Sequence, residues 1–350
     1  MTPTSPVVDA PGAVRAYPRG RRARLGTFVA LIAVLLAAIA LSITVGANPI
    51  GPGTVLDTIT GGGDDESRFI VWEQRVPRTA VGAVVGIALG IAGALIQAFT
   101  RNPLADPGIL GVNSGAAFAV AVGIVFFGVT DISGYVWFAC AGALIVTFGV
   151  YAIGATGRGA ASPIRLTLAG IAVGAVLSGA TTGLTLTHPD AFDRMRGWNA
   201  GSLLERGYDV LTPVVPLLVI GLVLAFGVSS AMNSMALGED TARAQGVNVA
   251  RTRVLVLVAV TLLAGTATAV AGPIGFVGLM VPHVVRWTFG PDQRRIVAGS
   301  FLLSPILVLL SDVVGRIVVL PSEMPVGIVT AFVGAPVLIV LVRRRNASAL

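Results

Sequence analysis

Few residues in this 350-residue chain could do chemistry, and their spacing excludes more than it suggests. Asp312 and Arg316 lie four apart in an apolar run, so on a helix they share a face and can pair. An ionisable residue at membrane depth is a functional candidate, and a structural pair near the interface is an equal reading. The two histidines, His188 and His283, have no carboxylate or thiol cluster beside them, so the sequence predicts no metal site. Cys140 stands alone among apolar neighbours and reads as a small core residue, without a disulfide framework. All 24 basic residues are arginine. A phosphate-binding Walker loop needs its lysine to reach the β- and γ-phosphates, and Schiff-base chemistry needs one too. Neither is available here, and no nucleophile elbow, zinc-protease pattern or dinucleotide loop is present. The expectation is therefore a chain with no catalytic, cofactor-binding or metal residues.

What the sequence does repeat is small residues at helical spacing. Gly82, Gly86, Gly90 and Ala94 share one helix face, as do Gly170, Gly174, Ser178 and Thr182. In lipid such stripes let backbones approach closely, because hydrocarbon gives helices no hydrophobic reason to associate. For the second stripe, Thr181, Thr185 and Thr187 add hydroxyls, and Gly170, Gly174, Ser178 and Thr182 become candidates for the wall of a watered pathway. One polar segment, 232–253, also stands out. Leu237, Gly238, Glu239, Asp240, Ala242, Arg243 and Gly246 read as a short helix. Its acids open the positive end of the macrodipole, and Gly246 can close it in the left-handed conformation. A short, sharply capped helix between two apolar runs suits docking onto a soluble partner; a plain connecting loop is the simpler reading.

The elements that must carry these residues follow from composition. The chain is 55% hydrophobic and 12% charged, against about 25% charged for a soluble domain. A water-facing surface cannot be built from so few ions. Spans of about 20 apolar residues cross a bilayer as helices, since in lipid every backbone group must pair within its own segment. The expected fold is an all-α integral membrane protein with about ten transmembrane helices: 25–45, 79–100, 108–129, 134–154, 166–186, 211–231, 254–271, 274–287, 296–319 and 326–342. The eighth is short for a span. The first is too long for a cleaved signal peptide and reads as a retained helix. Residues 1–24 read as a disordered cytoplasmic tail, followed by one transmembrane domain over 25–345.

The arginines orient the bundle. Placing both termini in the cytoplasm leaves only Arg68, Arg75, Arg78, Arg194, Arg196, Arg206 and Arg316 outside, so most of the 24 lie inside. The net charge of +7 is then explained by topology, not by nucleic acid. Two Pro/Gly breaks, at Asp106-Pro107-Gly108 and Gly272-Pro273-Ile274-Gly275, each lead straight into another apolar run. The runs two to five and seven to ten would enter from opposite sides, which suggests an inverted repeat.

Several stretches together resemble the FecCD-type permeases, membrane subunits of ATP-binding-cassette importers for iron-siderophores, haem and vitamin B12. They are Arg75-Val76-Pro77-Arg78, Gln97 through Gly115, Trp198 with Gly201-Ser202-Leu203, Ala236 through Val249, Gly272 through Gly290 and Ser322 through Pro336. The departures are the polar N-terminal tail and Asn199 beside Trp198, where a hydrophobic residue is more usual. The resemblance implies ten helices, a permease dimer, two cytoplasmic ATPase subunits holding ATP and magnesium, and an extracytoplasmic binding protein or lipoprotein. It implies that the fifth and tenth helices line the pathway and that the loop between the sixth and seventh contacts the ATPase. It also implies that Arg75, Arg78 and Arg316 face acidic residues of the binding protein. The cargo it implies is chelated iron, a siderophore first and haem or cobalamin as alternatives, crossing the bacterial cytoplasmic membrane. A secondary transporter is the competing class; the scarcity of carboxylates within the spans weighs against it.

Overall fold

The computed structural model describes residues 21–156 and 163–343. Most of the expected tail, and Arg158, lie outside them. Among the described residues the chain is helical throughout, with no strand. Each of the ten apolar runs is a helix: α1 (Arg21–Thr44), α2 (Val76–Thr100), α3 (Val112–Phe127), α4 (Ile132–Ala155), α5 (Pro163–Thr187), α6 (Val215–Ala236), α7 (Val249–Ala271), α8 (Val277–Phe289), α9 (Gln293–Val318) and α10 (Val326–Arg343). By length and apolarity, 7 helical segments are able to cross a membrane, and α3 and α10 are shorter apolar helices. At 13 residues α8 is the shortest of the ten. The segment containing α2 is longer than predicted, running from Asp65 to Thr100, because a short helix (Asp65–Arg68) and a π-helical turn (Phe69–Arg75) feed directly into it.

The core is built on α2, α7 and α9. The apolar windows of α2 and α7 are 78% buried, whereas α1 and α5 reach 11% and 17%. The small-residue stripe of α2 explains this. A Cβ on Gly86 would lie 2.6 Å from the Pro305 backbone, and one on Gly90 would lie 1.6 Å from Ser304 Oγ. The stripe is therefore a close-packing face against α9, where only the absence of side chains lets the backbones meet.

Both Pro/Gly breaks lie within the bundle, and this is why α3 and α8 are short. Gly278, in the first turn of α8, abuts Gly93 of α2 so closely that a Cβ on Gly93 would sit 1.9 Å from its carbonyl. Gly93 is about two turns before α2 ends, so α8 starts at depth. Gln97 donates to the carbonyls of Gly278 and Leu279 at 3.1 and 3.0 Å, satisfying backbone at the break. The other break, a 3-10 turn at Pro107–Leu110, also approaches Gly278. Irregular backbone at membrane depth persists when it is buried in protein or lines a cavity, and both conditions hold here.

Candidate functional site

The three arginines expected to meet a partner converge at one end of the bundle. They line a common cavity of about 550 Å³ with Gln74, Leu204 and Glu323. Their geometry differs sharply. Helix α1 ends here, and its last four carbonyls have no partners within the helix. Leu41 O accepts from the Val45 amide. Ser42 O accepts from Arg316 Nη1 at 2.7 Å. Ile43 O and Thr44 O accept from Arg75 Nη1 at 3.0 and 2.7 Å. Two guanidinium groups thus complete the C-terminus of α1, where the helix dipole also favours cations.

Arg316 is 1% exposed and pairs with Asp312, as the four-residue spacing predicts. Asp312 simultaneously accepts from Arg78 at 2.7 Å. Arg78 reaches on to Glu323 at 2.7 Å, so one carboxylate is shared by two arginines and a second closes the row. Of this row only Arg78 and Glu323 touch solvent, with side chains 12% and 16% exposed. The expectation of three arginines facing outward meets this geometry: Arg75 and Arg316 are turned into the protein, and Arg78 stands at the rim. The role of Glu323 was missed in the sequence. It lies in a quoted motif, but nothing local signals a partner 245 positions away. Arg206, from the same end, is also buried; burial lowers its pKa to about 10, with Glu205, Asp209 and Tyr135 opposing the shift.

A second cavity, of about 570 Å³, lies beside α5. Ser178 and Thr182 line it, with Asn113, Thr185, Arg196 and Asn199. Gly174 stands next to its wall: a Cβ there would meet only Ser114, a lining residue, with Oγ at 3.2 Å. Gly170 does something different. Its Cβ would lie 1.9 Å from Ile109 O, so it is the contact that seats α5 on the 3-10 turn. The second break reaches the same cavity through Pro273, and Thr268 donates to Asn113 Oδ1 at 2.9 Å beside it. A further cavity of about 610 Å³ runs along α10, lined by Phe332, Ala335 and Ile339, and shares Asn199, Ala200 and Pro273 with the cavity beside α5. Helices α5 and α10 therefore border two adjoining hollows on one face. Asn199, the departure from the usual pattern, sits where they meet.

At the opposite end, Glu239–Ala244 forms the expected short helix. Gly246 adopts φ +83°, its amide donates to Arg243 O, and Val247 donates to Ala242 O. That pair of bonds is a Schellman closure, which requires the left-handed glycine. Ala242 is buried, Leu237 is 68% exposed and the Asp240 side chain is open to solvent. Glu239 is occupied internally, bonded to Arg243 at 3.1 Å and to Arg253 at the start of α7. The helix thus presents Leu237 and Asp240 outward and uses Glu239 to hold its own position. Arg101 fixes the same end by donating to Met235 O at 2.8 Å.

Comparison with known proteins agrees with this arrangement. Residues 34–344 match the FecCD transport family. The ferric enterobactin transport system permease protein FepD of Escherichia coli (strain K12) is 47% identical over 317 residues, covering 90% of this chain and 94% of that protein. The probable siderophore transport system permease protein YfiZ of Bacillus subtilis (strain 168) is 36% identical over 316 residues, covering 90% and 95%. Among solved structures, an inward-facing conformation of a metal-chelate type ABC transporter superposes with a TM-score of 0.79 at 25% identity, over 91% of this chain and 99% of that one. With a match running through nearly every helix and every motif above, the chain belongs to the FecCD transport family.

Proposed function

We propose that this chain is the membrane permease of an ATP-binding-cassette importer that moves a ferric siderophore. The observation carrying this reading is the end-to-end similarity to a ferric enterobactin permease, with 94% of that protein covered. Relatives named for ferric citrate and for iron-hydroxamate support a chelated-iron cargo, and a cobalamin relative keeps cobalamin as the alternative. A chelate brings its own coordination shell, so the passage needs room and weak adhesion, which the hydroxyl-lined hollow beside α5 and the largely apolar one along α10 supply.

In this reading all ten apolar helices cross the bacterial cytoplasmic membrane with both termini inside, and α2–α5 and α7–α10 form the inverted halves. Cytoplasmic ATPase subunits hold ATP and magnesium and dock at Leu237–Gly246. An extracytoplasmic binding protein delivers cargo at the Arg78 rim. A second permease, a copy or a paralogue, closes the open side of the two hollows. The test is reconstitution in liposomes with the ATPase and binding protein: ferric siderophore accumulates only with ATP. Accumulation driven by an ion gradient without the ATPase would favour a secondary transporter.

A further inference from the structure

We propose that Arg196 makes the cavity beside α5 selective for anionic chelates, drawing negatively charged cargo into the passage and repelling cationic solutes. Of the residues lining this cavity, Arg196 alone carries a charge; the rest present hydroxyls, amides or apolar groups, with Asn113, Ser178, Thr182, Thr185 and Asn199 supplying polar surface. It is exposed and forms no ion pair among the described residues. Elsewhere on the bundle Arg78, Arg243, Arg253 and Arg316 are each paired with carboxylates.

The fold places it there deliberately in a geometric sense. The short helix Pro189–Asn199 turns back at the end of α5 and buries Ala191, Met195 and Trp198 against the bundle. Met195 is 1% exposed and Trp198 3%, so the helix is anchored on both sides of Arg196. The guanidinium is thereby held at the cavity and not on a free loop. An uncompensated charge in a cleft with low-dielectric walls concentrates counter-ions and excludes ions of like sign. Within a Debye length of about 8 Å at physiological salt, that field is felt by anything entering the cavity. Arginine also suits the cargo chemistry, since its fork can donate two hydrogen bonds to the oxygen rim of a catecholate or carboxylate chelate.

This inference rests on the permease reading for its cargo, but the charge of the cavity can be measured without transport. In a Cys140→Ser background, Thr182→Cys places a thiol on the cavity wall. The reconstituted complex with its ATPase is labelled in parallel with an anionic and a cationic thiosulfonate reagent. The anionic reagent is expected to react faster, with the rate ratio falling several-fold in Arg196→Gln, inverting in Arg196→Glu and persisting in Arg196→Lys. In the same liposomes, without the cysteine, Arg196→Gln is expected to slow uptake of a ferric tricatecholate, a triply anionic probe, several-fold. A ratio unchanged by both Gln and Glu overturns the proposal, as does undiminished tricatecholate uptake in Arg196→Gln. If the wild-type complex accumulates no ferric chelate, the permease reading fails separately, and the labelling ratio alone decides the charge of the cavity.

Discussion

Arg78 Nη1 donates to Glu323 Oε2 at 2.7 Å while its other nitrogens hold Asp312, so the one arginine at the rim of the mouth is already engaged on two sides. A carboxylate arriving from a partner must compete with Glu323. Glu323→Gln is therefore expected to strengthen binding-protein docking by about 1.4- to fivefold, the range of a partly exposed pair worth about 0.2–1 kcal/mol. Arg78→Glu is expected to weaken docking and to be partly restored by an arginine at the matching acidic site of the partner. Titration of binding protein against the permease in nanodiscs reads both. Equal affinity in wild type and both variants would remove Arg78 from the interface.

Asp312 and Arg316 predict a different phenotype. Removing one member of a buried pair leaves an uncompensated charge and costs about 3–5 kcal/mol. Asp312→Asn leaves Arg78 and Arg316 facing each other with one neutralising carboxylate fewer. Both Asp312→Asn and Arg316→Ala are expected to lower the yield of monodisperse protein and its thermal midpoint, in advance of any effect on docking. Wild-type melting in Arg316→Ala would show that α1 does not need its carbonyls completed.

Along α5 the glycines separate packing from passage. Gly170→Ala drives a methyl into Ile109 O and is expected to reduce folded yield. Ser178→Leu projects into the cavity and Gly174→Leu pushes on Ser114 in its wall, and both are expected to stop chelate uptake while the complex still assembles. Normal uptake by both leucine variants would assign the cavity no part in transport.

At the opposite end, charge reversal has two distinct outcomes. Asp240→Arg and Leu237→Asp alter exposed positions, the first giving up only a solvent-exposed bridge to Arg243, and are expected to uncouple ATP hydrolysis from uptake without loss of protein. Glu239→Arg breaks the bridges to Arg243 and Arg253, and is expected to loosen the short helix itself, read as faster amide exchange over 239–246. Identical behaviour of the three variants in exchange and ATPase assays would contradict the division of roles.

The elements were legible because lipid simplifies the code. Apolar runs of about 17 residues or more have one structural solution in lipid, and these runs, with the shorter eighth, all appear as helices at nearly the expected bounds. Local rules also sufficed for Gly246, whose left-handed closure depends only on its own helix. Asp312 and Arg316 were readable as a pair by spacing. Their consequences were not, because Ser42, Arg78 and Glu323 reach them from elsewhere in the chain, and no periodicity encodes a contact between distant helices. The same limit hid the difference between Gly170 and Gly174, which share a stripe but face a backbone turn and a hollow respectively.

Helix α1 is fastened at both tips and along one side, where Leu31, Leu35, Ala38 and Ile39 pack against Leu303, Ile306 and Leu309 of α9. Arg75 and Arg316 grip its carbonyl end, and near its start Phe28 stacks on Phe289 of α8, with ring centroids 4.5 Å apart. A rod clipped at both tips and bedded on α9 behaves as a tie-bar: it resists separation of the two ends of the bundle and travels with α9 as one piece. Any motion that opens one end while closing the other must then carry α1 and α9 together, because parting them would strip the last carbonyls of α1 of the arginines that complete them.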